Sequence, residues 1–90
     1  MFVAFFDCVS YYVYILKSEK DGRYYKGISN DVERRLGEHN RGEEKYTRPY
    51  RPWKLLLVIE KVSMKEAADL ERKLKNLTRE RLESFIKKYS

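Results

Sequence analysis

The chain has 90 residues, of which 42% are hydrophobic and 38% are charged. A chain of this length is expected to form one domain with one modest core, without room for a second lobe. The 20 Lys and Arg outnumber the 14 Asp and Glu, so the net charge of +6 favours a polyanionic partner, although an ordinary basic surface would give the same value.

The first ten residues are apolar but lack the features of a targeting segment. They have no basic start and Asp7 interrupts them, which argues against a signal peptide, and no run in the chain reaches the roughly 20 apolar residues of a membrane span. A single cysteine, Cys8, excludes an internal disulfide and a cysteine zinc site, and fits the reducing cytoplasm. We interpret residues 1–10 as an N-terminal extension of uncertain structure, either a continuation of the first strand or a ragged, misassigned start, and residues 11–90 as one domain.

A β-hairpin is predicted over residues 11–28. Residues 11–16 are β-branched or aromatic, the Asp21-Gly22 pair is a strong turn signal, and residues 23–28 form the returning strand. Strand alternation places Tyr12, Tyr14 and Leu16 on one side of the sheet and the residues between them on the other. The many tyrosines either pack across the strands or form a row of phenols that contacts phosphate or water.

The first helix is predicted to begin at Asn30, with Glu33 in the capping-box position, and to end near residues 40–42. Arg35 and His39 are four residues apart and therefore lie together on this helix. An arginine there can hold a phosphate with two hydrogen bonds, and a histidine can share a proton or bind a phosphate oxygen. The alternative is a solvated helix surface.

Residues 41–53 contain Gly, Pro and many charges, which predicts a loop. From Lys45 to Lys54, cations alternate with aromatic residues, a pattern that suits phosphate contacts and stacking on bases. The alternative is that Tyr46 and Trp53 anchor the loop to the core, and both interpretations can hold together.

The second half of the chain predicts a strand and two helices. Residues 54–59 are a continuous apolar run, which favours a buried central strand. Ser63 with Glu66, and then Thr78, are typical of helix starts. The apolar stripes of these helices are Ala67, Leu70, Leu74 and Leu77 in the first, and Leu82, Phe85, Ile86 and Tyr89 in the second. The order ββαβαα predicts an α+β fold with a small antiparallel sheet flanked by helices.

Glu71 lies within or beside the apolar stripe of its helix. A charge near a core face is costly unless it is paired or binds a metal. Glu71 is therefore a candidate metal ligand, and an ion pair with a nearby arginine is the alternative.

In order and spacing, these residues resemble the GIY-YIG nuclease family, and most of all its stand-alone, single-domain bacterial subgroup. Tyr12-Val13-Tyr14 and Tyr25-Lys26-Gly27 stand where the family has its two tripeptides, and Arg35, His39 and Glu71 follow at the family's spacings. The resemblance implies a three-stranded antiparallel sheet flanked by helices, and hydrolysis of DNA with one Mg²⁺ or Mn²⁺ ion. The sequence departs from the pattern at Tyr12, at Lys26 and at Glu83, where many members have Gly, an apolar residue and Asn.

Carried over by position, the resemblance gives the catalytic set Tyr14, Tyr25, Arg35, His39 and Glu71. Tyr25 is the general base or positions the attacking water, Tyr14 orients the water or phosphate, Arg35 stabilises the phosphate, His39 assists and Glu71 holds the metal. A phenol with an ordinary pKa of about 10 must have that pKa lowered by roughly 3 units to act as a base near neutral pH. Nucleic-acid contacts are predicted at Lys26, Arg34, Lys45, Tyr46, Arg48, Arg51 and Lys54.

The resulting hypothesis is an endonuclease of low sequence specificity in DNA repair or recombination. Its predicted partners are DNA and either a second copy of the chain or another protein that supplies specificity, with no membrane. The alternatives are a nucleic-acid-binding module without activity and a protein-interaction module.

Overall fold

The computed structural model describes residues 10–90, so the extension proposed for residues 1–10 lies almost wholly outside the described residues. The order of elements is the one that the sequence predicts, and the α+β class is confirmed. The strands are β1 (Tyr11–Ser18), β2 (Tyr24–Ser29) and β3 (Trp53–Lys61). The helices are α1 (Val32–Arg41), α2 (Met64–Lys75) and α3 (Arg79–Tyr89), with a short 3₁₀ turn at Arg48–Tyr50.

The three strands form one antiparallel sheet in the order β2-β1-β3. The central strand is β1, in which Val13 to Leu16 are all buried. The prediction that residues 54–59 form the central strand is wrong, because β3 is an edge strand with Lys54 and Val58 exposed. An apolar run is consistent with a buried strand, but it does not show how many strands pair with it or that each of its residues is covered.

Each side of the sheet has its own hydrophobic core. On the back face, α2 and α3 cover β1 and β3 through a core of Val13, Ile15, Leu57, Ala67, Leu74 and Leu82. On the front face, Tyr14, Leu16 and Trp53 are buried under Tyr25 and the α1 residues Val32 and Leu36. The predicted alternation of β1 is thus confirmed, and it places Tyr14 and Tyr25 on the same side of the sheet.

The helix ends follow local capping chemistry. The predicted N-cap Asn30 is wrong by one residue: Asp31 caps α1 and accepts a hydrogen bond from the Arg34 amide at 3.1 Å. The side chains of Ser63 and Thr78 cap α2 and α3 as predicted. Gly42 ends α1 with a φ of 81°, a left-handed conformation that favours glycine, and so turns the chain into the loop that precedes β3. Within the described part of the chain, no helix is long and apolar enough to cross a membrane.

Candidate active site

Two tyrosines lie side by side on the front face because of the β1–β2 register. Tyr14 is opposite Gly27 and Leu16 is opposite Tyr25, so the two phenol rings are neighbours with their centroids 6.3 Å apart. The ring of Tyr14 lies directly over Gly27, where an added Cβ would be 2.6 Å from the Tyr14 hydroxyl oxygen. Gly27 therefore provides the space in which the Tyr14 phenol sits.

His39 connects α1 to these phenols. Its imidazole is fully buried, with Nε2 3.0 Å from the Tyr14 hydroxyl and Nδ1 2.8 Å from the Thr47 hydroxyl. The Tyr25 ring meets the same imidazole edge-on, with centroids 4.9 Å apart. Both the solvated-surface interpretation of His39 and a direct contact with a phosphate oxygen are wrong, since the ring does not reach solvent. Polar residues flank His39 in sequence, so the apolar stripe of α1 gave no sign of this burial.

Burial sets the ionisation of the three aromatic groups. It raises the pKa of Tyr14 to about 12 and also raises the pKa of Tyr25, and the opposing effect of the Arg35 charge is smaller. Burial, and then the Arg35 charge, lower the pKa of His39. The protein alone therefore does not lower the pKa of either phenol, as a phenol that acts as a general base near neutral pH would require. At neutral pH both phenols keep their protons and the imidazole is neutral.

Arg35 reaches the same region with its guanidinium held between two carboxylates. Nη1 donates to Glu38 Oε1 at 2.8 Å, and Nη2 donates to Glu44 Oε2 at 2.9 Å. These bonds raise the pKa of Arg35, with Glu38 contributing most. Neither of these carboxylate partners of Arg35 was predicted from the sequence. Glu38 could have been found from its spacing on the helix, but Glu44 lies in the following loop, where no periodicity applies.

Glu71 lies on α2, which packs against β2. Its side chain is 23% exposed and forms an ion pair with Lys75 at 3.5 Å, so the predicted alternative of an arginine partner is wrong. The carboxylate charge is one of the influences that raise the pKa of Tyr14 and of Tyr25, which means that it acts on both phenols. Within residues 10–90, no three His, Cys, Asp or Glu side chains come together as a metal site.

The loop after α1 brings part of the predicted nucleic-acid surface to the front face. Tyr46 is 56% exposed, and its ring centroid lies 6.2 Å from Tyr25 and 6.0 Å from Tyr50. Lys45, Arg48 and Arg51 are exposed on the same loop. Trp53 is buried and donates its indole N–H to the Thr47 carbonyl oxygen at 2.9 Å, so Trp53 anchors the loop while Tyr46 remains accessible.

Two of the other predicted contacts, Lys26 and Lys54, are not brought to this surface. Lys26 and Lys54 alternate onto the back face, opposite Ile15 and Lys17 respectively. Burial, followed by the charge of Lys75, lowers the pKa of Lys26. Arg34 is on α1 but binds Glu38 at 2.8 Å. Glu83, which replaces the family's asparagine, accepts a hydrogen bond from the Tyr24 hydroxyl at 2.8 Å.

A three-stranded sheet that carries paired phenols over a glycine, with an arginine and a histidine on the next helix and a later helical glutamate, is the architecture of a small nuclease-family domain. The family model described as "GIY-YIG catalytic domain" matches residues 10–89. The chain therefore belongs to the GIY-YIG catalytic-domain family, a nuclease family, and the resemblance seen in the sequence is confirmed.

The chain is also similar to small proteins that carry the name UPF0213. It is 38% identical over 79 residues to UPF0213 protein BH0048 of Halalkalibacterium halodurans, covering 87% of this chain and 83% of that one. It is 41% identical over 76 residues to a UPF0213 protein of Streptococcus pneumoniae, covering 83% of this chain and 76% of that one. The solution NMR structure of BH0048, titled as from Bacillus halodurans, matches with a TM-score of 0.58 at 37% identity, over 87% of this chain and 83% of that chain. The similarity thus extends over most of both chains in sequence and in fold.

Proposed function

We propose that this protein is a divalent-metal-dependent endonuclease that hydrolyses DNA phosphodiester bonds with low sequence specificity, in the cytoplasm, during DNA repair or recombination. The observation that carries the proposal is the convergence of Tyr14, Tyr25, His39 and Arg35 on one side of a sheet that belongs to a nuclease family. The exposed basic loop beside them supports a nucleic-acid substrate, because each phosphate that it neutralises releases counterions.

The two tyrosines differ in burial and contacts, and we assign them different roles. Tyr14 is buried and hydrogen-bonds His39 at 3.0 Å, whereas Tyr25 is only partly buried and lies next to Tyr46. In our proposal Tyr25 positions the attacking water. Tyr14, which is buried, does not meet that water and instead donates a hydrogen bond from its hydroxyl to His39 Nε2, which holds its phenol beside Tyr25. The low pKa of His39 keeps Nε2 unprotonated and available as an acceptor at neutral pH.

Thr47 fixes the histidine for this hydrogen bond. When the imidazole proton is on Nδ1, it is donated to the Thr47 hydroxyl at 2.8 Å, and Nε2 presents a lone pair to Tyr14. Arg35 then has the separate task of binding the phosphate oxygens, for which its planar guanidinium is suited.

We propose Glu71 as the protein ligand of a weakly bound hard cation. Mg²⁺ is usually held by one or two carboxylates together with water and substrate phosphate oxygens, so Glu71 alone can serve as the protein carboxylate. When bound, the ion would offset negative charge on the phosphate and on the leaving oxygen. Since the phenols are neutral in the protein itself, we expect hydrolysis to depend on the metal.

The test is a nicking assay on plasmid, branched and single-stranded DNA, with and without Mn²⁺. We expect cleavage only with the metal, and its loss in Glu71→Ala and in Arg35→Ala. DNA binding should be weakened less in Glu71→Ala than in Arg35→Ala, because Glu71→Ala removes no positive charge. Glu80→Ala is the matched control, because it removes a carboxylate from an exposed position on α3. Equal cleavage by the wild type and Glu71→Ala would refute the proposal.

The second candidate is a nucleic-acid-binding module without activity. It is favoured by the raised pKa of both phenols and by the occupation of the Arg35 guanidinium by two carboxylates. Salt-dependent binding with no cleavage in Mg²⁺ or Mn²⁺ would support it. The absence of binding at low salt would instead indicate a protein-interaction module.

A further inference from the structure

The phosphate-binding group of the proposed site is not free. A guanidinium binds a phosphodiester through a pair of N–H groups, but Nη1 of Arg35 is engaged with Glu38 at 2.8 Å and Nη2 with Glu44 at 2.9 Å. The Arg35 side chain is 27% exposed and that of Glu44 is 34% exposed, so this pair lies where a ligand can reach it. Two of the five N–H groups of Arg35 are thus engaged, and a phosphate that uses either of them must displace its carboxylate.

The two carboxylates are held in different ways. Glu38 is three residues from Arg35 on the same helix, and it also binds Arg34 at 2.8 Å, so α1 keeps it in place. Glu44 is nine residues from Arg35 in sequence and lies in the loop that follows the helix-ending Gly42. Among the described residues, the Glu44 carboxylate forms its ion pair with Arg35. Glu44 is therefore the carboxylate that a ligand can displace without unwinding α1.

Glu44 also engages an N–H group of Arg35 through which a guanidinium binds a phosphate oxygen. A carboxylate and a phosphate bind a guanidinium in the same planar manner and with the same sign of charge. The negative charge of Glu44 raises the pKa of Tyr25, as a phosphate at that position would. The Arg35 hydrogen bond lowers the pKa of Glu44, so the carboxylate is ionised at neutral pH and competes at full charge.

We propose that Glu44 is an internal substitute for the substrate phosphate, which occupies Arg35 in the resting protein and is displaced by a nucleic-acid strand. This inference rests on the proposed function in one respect, namely that the displacing ligand is a phosphodiester. Glu44 is then a specificity-determining residue. An isolated phosphate group forms one contact with Arg35 and breaks the Arg35–Glu44 contact in exchange, so it gains little. A strand gains further contacts with the basic loop at Lys45, Arg48 and Arg51. The protein consequently prefers polymeric nucleic acid and rejects mononucleotides and inorganic phosphate.

The experiment compares Glu44→Gln with Glu43→Gln, both in a Glu71→Ala background that removes cleavage. Glu43 is the matched control because it is the adjacent residue, loses the same charge and pairs with Arg41 rather than with Arg35. Binding of a fluorescein-labelled oligonucleotide, of deoxyadenosine monophosphate and of inorganic phosphate is measured at one fixed salt concentration. Relative to Glu43→Gln, we expect Glu44→Gln to bind the oligonucleotide about tenfold more tightly, and to bind the mononucleotide and phosphate measurably.

Two further variants keep the result decisive. The gain must disappear in Arg35→Ala/Glu44→Gln, since the competition acts through Arg35. Glu44→Asp keeps the charge but shortens the side chain, so it should give a smaller gain in oligonucleotide affinity. This variant replaces Glu44→Gln in the comparison if Glu44→Gln does not fold. Weaker or unchanged binding by Glu44→Gln, or no binding of any probe by any variant, would overturn the proposal and make Glu44 a residue that only orients Arg35. A gain in binding in this background, together with no metal-dependent cleavage by the protein in which Glu71 is intact, would refute the nuclease function and leave the role of Glu44 intact.

Discussion

At the scale of single residues, His39 is the group whose protonation the fold controls most directly. Its ring is fully buried between the hydroxyls of Tyr14 and Thr47, and among the charges that act on it, that of Arg35 has a larger effect than those of Glu44 and Glu38. Both burial and that cation oppose a second proton on the imidazole, and they lower its pKa from the ordinary value of 6.5. Protonation of His39 is therefore coupled to unfolding.

This coupling predicts how stability depends on pH. The unfolded chain binds a proton on His39 near pH 6.5, whereas the folded protein binds it only at lower pH, so the free energy of unfolding falls as the pH drops through that value. The carboxylates Glu38 and Glu44 have pKa values lowered from 4.5, so their contributions are lost only in a more acidic range. We expect a lower melting temperature at about pH 5.5 than at about pH 7.5, on either side of the ordinary histidine pKa.

His39→Gln is the variant that assigns the effect to this residue. It should have a nearly flat melting temperature across the same pH range, because glutamine does not titrate. At the higher pH it should be less stable than the wild type by about 1–3 kcal/mol, since at least one of the two hydroxyls loses its buried partner. A wild-type melting temperature that does not change over this pH range would show that the imidazole has the same pKa in the folded protein as in the unfolded chain.

At the scale of elements, the close approach of β1 and β2 at Gly27 holds the site together. A methyl group at residue 27 would lie 2.6 Å from the hydroxyl oxygen of Tyr14 and 2.7 Å from its ring carbon Cζ. That ring is only 1% exposed, so it cannot move aside without leaving His39. We expect Gly27→Ala to destabilise the protein by about 1–3 kcal/mol, measured by thermal unfolding, and to abolish cleavage.

Gly37→Ala makes the same chemical change in a place where it should be tolerated. Gly37 is within α1, and the atom nearest to an added Cβ is the terminal Nη1 of the exposed Arg41 side chain at 3.0 Å, which can turn away. Alanine also favours the helix, so this variant should be as stable as the wild type or more stable by up to about 1 kcal/mol. Equal stabilities of the two alanine variants would mean that the Tyr14 ring is free to shift and that Gly27 does not define the site.

Most element types were predictable because their signals are local. The alternation of β1, the caps Ser63 and Thr78, and the turn at Gly42 each depend on a few neighbouring residues, and the structure has them as predicted. The edge position of β3 and the approach of Glu44 to Arg35 depend on residues far apart in the chain. Such pairings are decided by how the elements pack, which the period of a single segment does not contain.

The candidate site divides in the same way. Tyr14, Tyr25, Arg35 and Glu71 were identifiable because their types and order match a family pattern. The burial of His39 was not, since the residues beside it in sequence, Glu38 and Asn40, are polar, and its contacts come from β1 and the loop. The direction of the phenol pKa shifts was missed for a related reason: burial outweighs the charge of Arg35, and burial becomes known only with the fold.

At the scale of the whole molecule, the excess of positive charge is divided between the two sides of the sheet. On the front face, Lys45 and Arg51 lie in the loop beside the phenols and Tyr46. On the helices of the back face, Lys73 and Lys87 are exposed as well. A protein that bound DNA through its net charge alone would not distinguish these two pairs. One that binds through the proposed site would depend on the first pair.

This difference can be measured with two double variants that each lower the net charge by two. In Lys45→Gln/Arg51→Gln, we expect weaker DNA binding and a dependence of log K on log salt that is shallower by about 1.5, because each lost phosphate contact removes about 0.7–0.9 from the slope. In Lys73→Gln/Lys87→Gln, affinity and slope should stay close to the wild-type values, apart from a small general loss of attraction. Circular dichroism checks that the first pair leaves the loop folded, since Arg51 Nε donates to the Arg48 carbonyl oxygen at 3.0 Å. Equal losses in the two variants would place DNA on both sides of the sheet, and a larger loss in the second would move the binding surface to α2 and α3, away from the phenols.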